Sequence, residues 1–138
     1  MPITQKYLDD LTYSIIGCAI EVHKQSGPGL LESVYEKCFS RELSLKNLNF
    51  ITQQIVPIKY KGMPLDAELR FDVLVEDLVI VELKAIEGIL PVHKAVLLTY
   101  MKLLEKPKGI LINFNCVNIF KEGQKKLVNE YYAALSKN

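Results

Sequence analysis

Residues 79–84 read Val-Ile-Val-Glu-Leu-Lys. Side chains alternate across a β-strand, so Val79, Val81 and Leu83 take one face while Ile80, Glu82 and Lys84 take the other. Burying a charge is costly unless it is partnered, and here two charges share a strand face with an isoleucine. The preceding segment, "ELRFDVLV" at 68–75, repeats the pattern with Asp72. The turn between the two segments decides where Asp72 points. A two-residue loop sets it opposite Val81, whereas a three-residue or bulged loop sets it opposite Glu82. Only the odd-length connection also gathers Val73 and Val75 with Val79, Val81 and Leu83. The hydrophobic alternation therefore selects the register that clusters Asp72, Glu82 and Lys84.

Two carboxylates in a partly dry setting repel, and one of them retains a proton unless a cation intervenes. Hard oxygen ligands with no His or Cys nearby suit Mg²⁺ or Mn²⁺ better than zinc. A lysine two residues on is then placed to orient a water or to stabilise charge developing on a phosphate. Strand composition alone supports a second reading equally well: Glu82 and Lys84 as a solvated strand face, and Asp72 as an edge charge.

The rest of the sequence predicts the frame around these strands. Leu8, Leu11, Ile15, Ala19 and Val22 recur at steps of three and four, so a helix is expected over 4–25, capped by Thr4 and stopped by Gly27. A second helix is expected over 30–46. A strand follows over 50–60, irregular at Pro57, then a turn at 61–64 and strands at 67–76 and 79–85. Helical spacing returns over 92–105 and ends before Pro107. "GILINF" at 109–114 reads as a buried strand reached by a crossover, and a last helix is expected over 120–136. The order is α, α, β, β, β, α, β, α.

The chain of 138 residues is 49% hydrophobic and 24% charged, which predicts one folded domain over 1–138 without a linker. Seventeen basic residues against sixteen acidic ones give a formal charge of +1, so overall charge neither announces nor excludes a nucleic-acid partner. Cys18, Cys38 and Cys116 follow no CxxC spacing, which suggests neither a disulfide framework nor zinc. The start "MPITQKYLDDLTYS" lacks the basic and apolar parts of a signal peptide, and no apolar run reaches the roughly 18 residues of a membrane span. A soluble protein of a reducing cytoplasm is the expectation.

Asp72 followed by "ELK" at 82–84 resembles the D…(D/E)xK signature of the PD-(D/E)XK nuclease superfamily. Upstream, "VHKQSGPGLLESVYEKCF" at 22–39 resembles the signature of the small GxxExxY proteins of that superfamily, with Gly29, Glu32 and Tyr35 in the named positions. The resemblance continues through "FDVLVEDLVIVELKAIE" and "HKAVLLTYMKL" to "GILINF". It implies a restriction-endonuclease-like α-β-β-β-α-β core of the α/β (α+β) class, a mixed sheet flanked by helices, with an extra N-terminal helix and a C-terminal helix. It further implies a Mg²⁺- or Mn²⁺-dependent nuclease acting on nucleic acid, foremost DNA. Glu32, Asp72 and Glu82 would hold the ion, with the Leu83 carbonyl completing its shell and Lys84 as the catalytic cation. Tyr35, one turn beyond Glu32, either buttresses that carboxylate or fills the core.

Relatives commonly carry a Gln four residues before a Tyr on the helix after ExK; here that pair reads Val96 and Tyr100. Val96 cannot hydrogen-bond, which keeps a second reading in view: a catalytically weak or inactive module of the same fold that binds nucleic acid or assembles with protein. Local lysine groups, namely Lys59 and Lys61, then Lys102, Lys106 and Lys108, then Lys121, Lys125 and Lys126, read either as a solvated surface, the commoner use of such lysines, or as contacts to phosphates. Exposed strand edges and tyrosine-rich helix surfaces are compatible with a homodimer. His23 and His93 have no partner at metal-ligand spacing and read as structural.

Overall fold

The computed structural model describes residues 2–138. Thr4 opens α1 (Gln5–Ser26) by accepting a hydrogen bond from the Tyr7 N–H at 3.0 Å, the device its position predicts. The helix buries Leu8, Leu11, Ile15, Ala19 and Val22, and Gly27 ends it at φ 65 with its N–H on the His23 carbonyl. In α2 (Glu32–Leu45), Tyr35, Phe39 and Leu43 face inward. This helix starts slightly later than expected because Leu31 takes the extended N-cap conformation.

The strand expected over 50–60 is interrupted. Only β1 (Phe50–Thr52) joins the main sheet. Beyond it Gln53 turns to φ 53, a single bridge links Ile55 to Arg70, and β2 (Lys59–Tyr60) pairs with β3 (Met63–Pro64) in a separate hairpin. Gly62 at φ 82 supplies the turn. Pro57 lies inside the interruption, where its missing N–H costs no ladder bond. Of the strand expected over 67–76, only β4 (Val73–Val75) is regular.

β4 meets β5 (Val79–Lys84) antiparallel, pairing Val73 with Val81 and Val75 with Val79. The connection is therefore Glu76-Asp77-Leu78, of odd length, with Glu76 and Asp77 at φ 52 and 57. The hydrophobic alternation had selected this register. From the end of β5 the chain crosses through α3 (Pro91–Leu103) to β6 (Lys108–Asn113), which runs parallel to β5 from Val79↔Lys108 to Lys84↔Asn113. At Gly109 a Cβ would fall 2.6 Å from Met101 Sδ and 2.9 Å from Leu97 Cγ. The absent side chain lets α3 lie directly on the strand.

The single helix expected over 120–136 is not there. The segment forms α4 (Ile119–Glu122), β7 (Gln124–Val128) and α5 (Glu130–Ala133). β7 pairs antiparallel with β6, from Lys108↔Val128 to Ile112↔Gln124, and completes backbone hydrogen bonding along that side of a buried strand. Its Gln, Lys and Leu residues favour helix in isolation, but pairing with β6 outweighs a preference of a few tenths of a kcal/mol per residue. Asn118 and Asn129 cap the two flanking short helices.

The main sheet has the order β1-β4-β5-β6-β7. On one face Val73, Val75, Val79, Val81, Leu83, Ile110 and Ile112 pack under α1 and α2. On the other, Leu74, Ile80 and Leu111 pack under Leu97, Tyr100 and Met101 of α3. This is the mixed sheet flanked by helices of a restriction-endonuclease-like fold. No helix among the described residues is long and apolar enough to cross a membrane, and the three cysteines are free thiols.

Candidate active site

Strand alternation places Asp72 and Glu82 on the α3 face, as the cross-strand pair that follows Val73↔Val81. The Asp72 N–H donates to Glu82 Oε2 at 3.1 Å, and Asp72 Oδ2 accepts from the Leu83 N–H at 2.7 Å. Asp72 has thus curled over the end of β4 to take the partner Leu83 would otherwise find in a longer strand.

Glu82 is buried, with 6% of its surface exposed. Burial chiefly, then the charge of Asp72 and a hydrogen bond with it, push the Glu82 carboxyl up to about 9. The Asp72 N–H and the charge of Lys84 pull the other way without reversing this. At neutral pH, with no cation present, Glu82 therefore keeps its proton. Tyr100 of α3 covers the same region: burial first, then the charge of Glu82, raise its phenol. Val96, one turn before Tyr100, is 42% exposed and offers no hydrogen bond. Lys84 is half-buried two residues beyond Glu82 on the same strand face.

Glu32, in the first turn of α2, reaches β5 from the other side, its Oε2 accepting from the Ala85 N–H at 2.9 Å. The Leu83 N–H points to Asp72, and the Lys84 carbonyl points the opposite way, to the Phe114 N–H of the chain beyond β6. With trans peptides the Leu83 carbonyl must then project on the Asp72 side, between the N–H groups taken by Asp72 and Glu32. An open cleft of about 360 Å³ lies there, lined by Glu32, Ser33, Glu36, Gln53, Asp72 and Leu83. A cavity of about 420 Å³ between α1, α4 and β7 contains none of the predicted site residues.

The predicted residues thus divide. Asp72, Glu82 and Lys84 share one strand face, Leu83 joins them through its main chain, and Glu32 stands at the adjoining edge of β5. Tyr35 belongs to the core: its hydroxyl donates to the Gly27 carbonyl at 2.6 Å and accepts from the Leu30 N–H at 3.2 Å, and its ring stacks on Phe114 at 4.2 Å. It braces the turn that launches α2, with Gly29 at φ 109 inside it, and so supports Glu32 only through the backbone. His23 bonds the Cys116 carbonyl, tying α1 to the segment after β6, and His93 accepts from the Leu90 N–H at the start of α3; both contacts are structural.

Two of the predicted surface lysines have partners. Lys108 is buried against Asp9 at 3.2 Å, and Lys106 pairs with Asp77 at 2.9 Å. Lys121 lies on α4, and Lys125 and Lys126 lie on β7, rather than on one helix. The cleft also holds two residues that sequence reasoning missed. Gln53 Nε2 donates to Glu36 Oε1 at 2.6 Å and to Asp72 Oδ1 at 3.3 Å. Glu36 was legible, since it lies four residues after Glu32 and shares its helix face. Gln53 gave no local signal.

Among the described residues, no three His, Cys, Asp or Glu side chains already stand together closely enough to hold a metal ion. The donor set nonetheless suits a hard divalent cation. It consists only of oxygens, and Glu82, kept neutral beside Asp72, marks the point where a positive charge would relieve the conflict.

No curated protein and no solved structure matches the chain. The sequence profile of the PD-(D/E)XK nuclease superfamily matches residues 9–127, from α1 to β7 and across every residue of the site. The chain belongs to the PD-(D/E)XK nuclease superfamily.

Proposed function

We propose that the protein hydrolyses phosphodiester bonds in nucleic acid, DNA foremost, with the help of a divalent cation. The observation that carries this reading is Glu82, buried and neutral directly across from Asp72 at the open end of β4. Nuclease superfamily members generally use divalent metals. Asp72, Glu82 and the Leu83 carbonyl are the residues that would hold Mg²⁺ or Mn²⁺, with Glu32 at the adjoining edge. The ion would supply charge to stabilise the phosphate oxygens and to lower the pKa of a bound water.

The remaining work falls to this chain's own groups. Lys84, on the Glu82 face, orients the attacking water or stabilises negative charge growing on the phosphate. Tyr100, buried on the α3 side within reach of the charge of Glu82, limits access of bulk water there. Lys59, Lys61, Lys102, Lys121, Lys125 and Lys126 are exposed and available to backbone phosphates. Within the superfamily, Gly29, Glu32 and Tyr35 favour assignment to the GxxExxY proteins.

The test is cleavage of labelled single- and double-stranded DNA and RNA in Mg²⁺ or Mn²⁺, comparing the wild type with identically purified Asp72→Ala. Cleavage that disappears in the variant is expected; equal cleavage by both would reject the site. A second reading, a catalytically weak binding or assembly module, draws on α3. Val92 and Val96, one turn apart on one helix face, are 58% and 42% exposed there, an apolar surface suited to a partner or a second copy. Inert wild-type protein that binds DNA or self-associates would favour it.

A further inference from the structure

Gln53 follows Thr52 in the β1–β4 register, so it lies across from Asp72. Its N–H donates to the Asp72 carbonyl at 2.9 Å, and its carbonyl accepts from Arg70 Nη1 at 2.8 Å. The main chain is fastened on both sides while the side chain runs into the cleft. There the amide nitrogen carries two hydrogens and serves two carboxylates, Glu36 Oε1 at 2.6 Å and Asp72 Oδ1 at 3.3 Å. Because the Leu83 N–H holds Asp72 Oδ2, each oxygen of Asp72 has a donor from a different segment, one from β5 and one from the turn after β1. The carboxylate plane cannot turn without breaking one of them.

We propose that Gln53 is a positioning residue for Asp72: its amide, anchored on Glu36, sets the orientation of that carboxylate and thereby the affinity of the cleft for a divalent cation. This rests on the reading of Asp72 as a metal ligand. The backbone at this position is unusual for a residue with a side chain. Gln53 has φ 53, a left-handed conformation that glycine adopts without steric conflict and that other residues adopt under strain. The conformation directs the side chain that joins α2 to Asp72. Groups that orient metal ligands from behind typically change affinity by about 10–100-fold.

The same backbone makes the test discriminating. Gln53→Gly removes the amide while relieving the left-handed strain, so the metal-free variant should melt at the wild-type temperature or above it. Calorimetric titration with Mn²⁺ should meanwhile show binding weakened by about 10-fold or more. Glu36→Ala should weaken binding in the same direction, whereas Glu36→Gln, which still offers an oxygen to Nε2, should stay near wild type. Wild-type affinity in Gln53→Gly, or affinity and melting temperature falling together, overturns the positioning role. A wild-type chain that takes no Mn²⁺, or an Asp72→Ala variant that binds it as tightly as wild type, overturns the reading of Asp72 and the role of Gln53 with it.

Discussion

Glu82 and Lys108 are both buried charged residues, 6% and 5% exposed, on adjacent strands of one sheet. Lys108 has its charge answered: Asp9 stands at 3.2 Å and the Tyr132 ring lies 4.9 Å from the ammonium, with the Tyr132 hydroxyl itself bonded to Asp9. Glu82 has the opposite surroundings. Its cross-strand neighbour is another carboxylate, its hydrogen bond comes from the neutral Asp72 N–H, and its pKa rises to about 9. The two buried groups thus differ in kind: Lys108 is paired within the fold, whereas Glu82 faces a second carboxylate and holds its proton.

Substitutions that act differently on the two regions test this contrast. The largest expected effect is on catalysis. Lys84→Ala should lower the cleavage rate by roughly 10²–10³-fold, the range for losing one electrostatic stabiliser, with little change in melting temperature; unchanged turnover would remove Lys84 from the chemistry. Lys108→Ala should do the reverse. Asp9 is half in solvent, so the loss should lie below the range for a fully buried pair, at about 2–3 kcal/mol of stability, with cleavage retained at temperatures where the protein is folded. A Lys108 variant that is stable but inactive would erase the distinction.

A pH-dependent effect follows from the proton on Glu82. Its folded pKa, about 9, is above the ordinary 4.5, so the native state holds the proton after the unfolded chain has released it. The associated stability is complete below about pH 4.5 and is lost as pH rises to about 9, at up to roughly 1.4 kcal/mol per pH unit. Urea titrations of the metal-free protein should show this decline, and Glu82→Gln should flatten it. An identical slope in the variant would place the buried proton elsewhere. Least of all, Tyr35→Phe should cost about 1 kcal/mol by releasing the Gly27 carbonyl, with cleavage nearly intact; severe loss of activity would bring Tyr35 back into the site.

The contrast was half legible in the sequence. The alternation of Val73, Val75, Val79, Val81 and Leu83 fixed the β4–β5 register, and the register brought Asp72 opposite Glu82, because one face of a sheet cannot slip by a residue without exposing its core side chains. Lys108 was read as a surface lysine because its partners, Asp9 and Tyr132, lie about a hundred residues away in α1 and just beyond it in α5. The α4-β7-α5 segment failed for the same reason: "KEGQKKLV" carries helix formers, and only the free edge of β6 makes it a strand. Gln53 was invisible because its role depends on a left-handed turn and on two carboxylates from other elements.

The most direct test is the proton count on metal binding. Calorimetric titration of Mn²⁺ into the protein at pH 7, repeated in buffers of different ionisation enthalpy, measures protons released per ion bound. Glu82 must lose its proton to become a ligand, so the account predicts release of about one proton per ion, abolished in Glu82→Gln. Binding with no proton released, or the same release from the Glu82→Gln variant, would contradict it.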